Sequence, residues 1–177
     1  VVEFTASSLG DATAGSLALY LDGEDVELTT SGEDIDALHL LADGRLLIST
    51  LGSPSMTGVV DGKDEDMLVF TPITLGENSS GTWEIYFDGS DTELTQTSGV
   101  DINAFSLDAA GIVYLSTDNT VTLAGSARGT EDVSSCTLSS SGTTTVCDFA
   151  STIFFDGSAW SLTGNRLDGV SIVATTG

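Results

Sequence analysis

The residues best placed to do chemistry are acidic and recur in pairs. Asp22-Gly-Glu-Asp25 returns as Asp88-Gly-Ser-Asp91, and Asp34 and Asp36 return as Asp101 and Asn103. Hard cations such as Ca²⁺ take six to eight oxygen ligands, and alternating Asp/Asn around a glycine turn can supply several. Asp22, Asp25, Asp34, Asp36, Asp88, Asp91, Asp101 and Asn103 are therefore the candidate calcium ligands. The spacing is not that of an EF-hand, because no D-x-D-x-D-G run is followed by a bidentate Glu at the twelfth position. A third cluster, Asp61 to Asp66, has a shorter echo in Glu131-Asp132, and the third copy of the first motif has Ala159 in place of its second acid. The competing reading is structural, since Asp and Gly build tight turns and Asp keeps a surface hydrated.

Other chemistries have less support. The single histidine, His39, has Ser106 as its counterpart and no nucleophile or metal partner at a recognisable spacing, so it reads as a half-exposed strand residue. Carboxylate pairs for glycoside hydrolysis can be found in any chain this acidic and give no specific signal. No glycine pattern is followed by Lys-Ser or Lys-Thr, which leaves out a phosphate-binding loop. Trp83 falls in phase with Ile85 and Phe87 and reads as core. Trp160 follows a turn and is the better candidate for stacking on a sugar. Cys136 and Cys147 bracket a Ser/Thr/Gly stretch with no further Cys or His partners for a metal, which points to a disulfide closing a loop and to an oxidising, extracytoplasmic setting. Asn78 begins a possible glycosylation sequon, Asn-Ser-Ser.

The elements that carry these residues come from an internal repeat. Phe4, Thr5, Gly10, Gly15, Tyr20, Asp22, Gly23, Asp25 and Leu28 recur 66 positions later, and Asp34, Ile35, Ala37, Leu40 and Gly44 recur 67 later. A shorter third copy places Ile153, Phe155, Asp156, Gly157 and Leu162 at offset 68 from Ile85, Phe87, Asp88, Gly89 and Leu94. The chain reads as one β-repeat domain, 1–177, with copies near 1–66, 67–132 and 133–177. Four short apolar runs per copy, bounded by Gly, Asp, Ser and Thr, read as antiparallel strands. Asp43-Gly44 reads as a two-residue hairpin turn, with Ala110-Gly111 in the same place. Leu19, Ile85 and Ile153 are expected on one face with Leu21, Phe87 and Phe155, and Tyr20, Tyr86 and Phe154 on the other. A sandwich with one wet face would alternate apolar and polar residues. Apolar groups on both faces suit β-propeller blades, each packed between neighbours. A stacked β-solenoid or a β-sandwich is the alternative.

Composition bounds the partners. Forty per cent apolar residues exclude a disordered acidic tail, and 27 acidic against 4 basic side chains give a net charge of −23 that repels nucleic acid and anionic lipid. No apolar run approaches the roughly 20 residues of a helical membrane span. The chain opens VVEFT with no visible signal peptide, which fits a processed chain or an excised piece.

"DIDALHLLADGRLLIST" and "DEDMLVFTPITLGENSSGTWEIYFDGSD" resemble repeats of secreted bacterial proteins of propeller type, and "CTLSSSGTTTVCDFASTIFFDGS" is similar to a cysteine-bearing version of them. The resemblance covers nearly the whole chain. It implies an extracellular β-repeat protein and carries over no catalytic residue.

The phase of the repeat suggests a partner. Val1 to Thr5 aligns with the strand that opens a unit, and Val170 to Thr175 aligns with a hairpin arm whose partner arm is missing. That makes eleven strands, about two and three-quarter copies, where a closed propeller needs at least four blades. Uncovered strand edges are templates for pairing. The expectation is a non-catalytic structural protein that joins copies of itself head to tail, with Val2, Phe4 and Ile172 at the joint. A calcium-assisted glycan-binding module and a piece of a larger propeller are the alternatives.

Overall fold

The computed structural model describes residues 1–96 and 99–172. The described chain is all-β and antiparallel, with no α-helix. Strands β1 (Val2–Ser8) and β2 (Ala14–Leu19) form a two-stranded ribbon. Strands β3 (Ile35–Leu40), β4 (Leu46–Thr50), β5 (Met67–Thr74) and β6 (Ser80–Phe87) form a four-stranded meander. A second sheet uses β7 (Ile102–Leu107) and β8 (Ile112–Thr117). It continues, after a small hairpin of β9 (Val121–Leu123) and β10 (Ser126–Arg128), through β11 (Ser134–Ser140) and β12 (Val146–Phe149). Each sheet thus joins the second half of one sequence copy to the first half of the next. The β1–β2 ribbon is equivalent to β5–β6 without the two strands that precede them.

Both faces of the first sheet are buried around β4, the start of β5 and the end of β6, as its two-sided apolar pattern requires, while Leu38 and Leu40 of the edge strand β3 stay 48 and 52% exposed. Leu46, Ile48, Leu68, Phe70, Trp83 and Ile85 pack with Leu21 and Val26 from the turn that follows β2. Leu47, Met67, Val69 and Phe87 pack on the other side with Ile102, Phe105, Val113 and Leu115 of the second sheet. Complete burial of a phenylalanine such as Phe70 or Phe87 contributes about 1.5–3 kcal/mol.

Local departures from the sequence expectation have local causes. Ile85 and Phe87 do not share a face, because the β5–β6 register shifts between Met67 and Leu68 and turns Met67 and Phe87 toward the second sheet. The Asp43-Gly44 hairpin is a three-residue loop rather than a two-residue one. Leu41 N–H donates to Arg45 O and Gly44 N–H to Leu41 O, and only Gly44 takes positive φ, at 87°. That is a type I turn closed by a left-handed glycine, and Asp108 to Ile112 repeats it with Gly111 at 80°. The expected C-terminal arm, Val170 to Thr175, has no strand pairing over residues 170–172. Residues 173–175 lie outside the described residues. The third copy's Ile153–Asp156 run is not a strand either. Two extra residues after Phe149 interrupt it, and the buried Arg128 holds them, its Nη2 donating to Ala150 O at 2.9 Å and Ser151 O at 3.2 Å. Pairing resumes only at the Val133–Phe155 bridge.

Cys136 and Cys147 are bonded, as expected, but the stretch between them is no loop. It is the β11–β12 hairpin. Its equivalents explain the bond. In the ribbon the Phe4 ring covers Gly15, and in the first sheet the Phe70 ring covers Gly81, where an added Cβ would overlap ring and backbone. Sixty-six residues further on, Phe70 and Gly81 fall on Cys136 and Cys147. The disulfide occupies the place of a ring lying across a glycine.

Candidate functional site

The recurrent acidic turns are interlocks between neighbouring repeat units. Asp22 and Asp88 cap their own turns, taking the N–H of Glu24 at 3.2 Å and of Ser90 at 3.1 Å. Asp25 reaches across to the β5–β6 turn and accepts Ser79 N–H at 2.9 Å. Asp91 accepts Thr145 N–H of the β11–β12 turn, also at 2.9 Å. The same two joints share three further bonds. Ser79 Oγ and Thr145 Oγ1 accept the N–H of Asp22 and Asp88, and the two hydroxyls donate to Gly76 O and Gly142 O. Gly76 N–H and Gly142 N–H donate to Tyr20 O and Tyr86 O. Asn78 sits exposed in the first of these turns, its carbonyl accepting from Thr74 Oγ1.

The Asp61–Asp66 cluster and its echo work the same way from the other side. Buried Asp66 accepts Gly89 N–H and Lys63 N–H, both at 2.8 Å, and Asp132 accepts Gly157 N–H at 3.0 Å and Gly129 N–H at 2.8 Å. Gly89 and Gly157 have no room for a side chain, since a Cβ would overlap Glu65 O and Glu131 O. Asp66→Ala would strip two N–H groups of their acceptor at a buried joint, a loss of about 2–3 kcal/mol. A chemical denaturation midpoint unchanged from the parent chain would refute that role. Glu33 is likewise spent on backbone: burial opposes its ionisation, but N–H groups of Thr29, Thr30 and Ser55 outweigh this and hold its carboxyl below the usual range.

Asp36, Asp101 and Asn103 are different. Strands β3 and β7, the first strands of the two sheets, pack against each other and bring Asp36 and Asp101 within hydrogen-bonding reach. Asp101 and Asn103 are at least nine-tenths buried. Both Asp36 carboxylate oxygens, Asp101 Oδ1 and Asn103 Oδ1 have no donor partner among the described residues. Asn103 Nδ2 donates to Leu167 O at 2.8 Å. Burial pushes both carboxyls up, Asp101 to about 8, with the charges of Asp36, Asp118 and Asp64 acting in the same sense. The pair can share one proton, with Asp101 as donor and Asp36 as acceptor. Asp34, the remaining acid of that proposed ligand group, is exposed, and Asp101 is its sequence equivalent in the next copy. Among the described residues, no group of three or more His, Cys, Asp or Glu side chains is gathered for a metal ion. His39 is half-buried on β3, and that burial lowers its pKa.

The second candidate site is apolar. Val2, Phe4, Leu17 and Leu19 of the ribbon are 58, 47, 72 and 40% exposed. Their equivalents Leu68, Phe70, Trp83 and Ile85 are 0, 0, 3 and 7% exposed. Equivalent apolar positions on equivalent strand pairs are thus covered in one copy and bare in the other. Trp83 is core as expected, its Nε1 donating to Val26 O at 2.8 Å. Trp160 is 73% exposed. Ile172 is not on a free strand edge. It is half-buried, and its N–H donates to Ser106 Oγ of β7.

Sequence reasoning missed Arg128 and the buried contact of Asp36 with Asp101. The second carried a signal, because β3 and β7 are the same strand in successive copies and neighbouring copies set them side by side. Among the described residues no helix is long and apolar enough to cross a membrane, and the disulfide fits an oxidising compartment. No family model, no curated protein and no solved structure matches this chain.

Proposed function

We propose that this is a non-catalytic, extracellular structural protein built from propeller-blade-like units, which associates head to tail with copies of itself. One observation carries the reading: the β1–β2 ribbon exposes Val2, Phe4, Leu17 and Leu19 where the equivalent strands bury Leu68, Phe70, Trp83 and Ile85. A contiguous bare apolar strand pair marks an interaction surface. The two four-stranded antiparallel sheets, the first with apolar packing on both faces, support the blade comparison. The disulfide supports the extracellular setting, and the −23 charge keeps such a surface dispersed until a specific contact forms. Sedimentation velocity over a concentration series tests the reading. The expected result is concentration-dependent growth, abolished by Phe4→Asp with Leu17→Asp. A parent chain that stays monomeric at millimolar concentration overturns it.

A calcium-assisted glycan-binding module is the second reading. It draws on the unpartnered oxygens of Asp36, Asp101 and Asn103 and on exposed Trp160. It requires that Ca²⁺ raise the melting temperature more than Mg²⁺ does, that Asp101→Asn remove the difference, and that Trp160→Ala abolish retention on a glycan array.

A further inference from the structure

We propose that a second copy of this chain seats its Phe154–Leu162 turn on the β1–β2 ribbon and so repeats between copies the joint found twice within one. This deepens the self-association reading and rests on it. In the first internal joint, the turn after β2 covers the β5–β6 strand pair: Leu21 and Val26 pack into its face, and buried Val26 lies against buried Trp83. Successive turns align residue by residue. Leu21, Phe87 and Phe155 are equivalent, as are Val26, Thr92 and Trp160. The covered strands align as well, with Leu17 equivalent to Trp83.

The two ends of the chain are therefore the two halves of one joint. Phe155 is half-exposed where Leu21 and Phe87 are buried, and Trp160 and Leu17 are 73 and 72% exposed. Their sizes are exchanged. The internal joint sets a small Val26 against a large Trp83, and the terminal halves would set a large Trp160 against a smaller Leu17, which conserves volume across the contact. The polar parts agree. Gly10 N–H, equivalent to the Gly76 and Gly142 donors, has no protein partner among the described residues, and it faces the role filled inside the chain by Tyr20 O and Tyr86 O, for which Phe154 O is the counterpart. Ala159 lacks the carboxylate of Asp25 and Asp91. At the uncovered turn Thr13 N–H, the donor those acids would take, is already bonded to Gly10 O at 3.1 Å. The contact is heterologous, so repetition gives a ring or a filament.

A size-exchange experiment tests the joint, read by sedimentation velocity with circular dichroism as the folding control. Trp160→Val leaves a gap against Leu17, and Leu17→Trp sets Trp against Trp. Each is expected to weaken association by about tenfold or more. The double variant Trp160→Val with Leu17→Trp recreates the Val26–Trp83 pairing and is expected to recover most of the loss. Singles that associate like the parent chain, or a double variant as weak as its two losses combined, overturn the joint while self-association stands. A parent chain that stays monomeric until a longer flanking segment is restored to it overturns both readings and makes a neighbouring repeat the occupant.

Discussion

Stability should fall steadily as pH rises from about 4 to about 8, and Asp101→Asn should remove the largest part of that slope. In the folded chain burial holds the proton of Asp101 up to about 8, that of Glu65 to about 7 and that of Asp66 to about 6. Unfolded carboxyls release theirs near about 4. Between those limits the folded state binds more protons than the unfolded one, so each added pH unit favours unfolding. The stabilisation is complete below the unfolded pKa and is lost as pH passes the folded values. Glu33, whose carboxyl is held below the usual range, acts in the opposite sense and loses its contribution only in more acidic solution. Asparagine at 101 keeps a donor for Asp36 and removes the ionisation. Asp34→Asn, at an exposed site, makes the same residue exchange away from the buried pair and serves as the control. Thermal scans at several pH values that move equally for both variants would remove the buried pair from the account.

The second large effect belongs to the disulfide. Replacing both cysteines with serine should cost about 3 kcal/mol by the loop-entropy model for a closure this short. For a chain of this size that is a fall of about 6–12 °C in melting temperature. Cys136→Phe with Cys147→Gly should lose clearly less, because it rebuilds the ring-over-glycine pair that Phe4 and Gly15, and Phe70 and Gly81, already form. A Phe/Gly variant that melts at or below the Ser/Ser variant would show that the three positions are not interchangeable.

These cases mark where the sequence was legible. Repeat offsets, the strand positions of the first two copies, the core role of Trp83 and the bonding of the cysteines follow from periodicity and residue type. The acidic turns were legible as turns. That their second carboxylate fastens the next unit was not, because Asp25 and Ser79 lie 54 residues apart and only packed sheets bring them together. The split of Ile85 from Phe87 depends on a register shift that no alternation pattern shows. The approach of Asp36 to Asp101 depends on two β3-like strands lying side by side, a tertiary fact. The place of the cysteines was within reach, since one more step of 66 residues carries Phe70 and Gly81 onto them.

The central claim is that the β1–β2 ribbon is a surface another copy covers. Hydrogen exchange across a concentration series, followed peptide by peptide, tests it most directly. The account predicts that protection of residues 2–19 rises with concentration in step with sedimentation, while β4 and β5, already covered within the chain, stay unchanged. Ribbon amides that exchange at one rate from the most dilute to the most concentrated sample would contradict it.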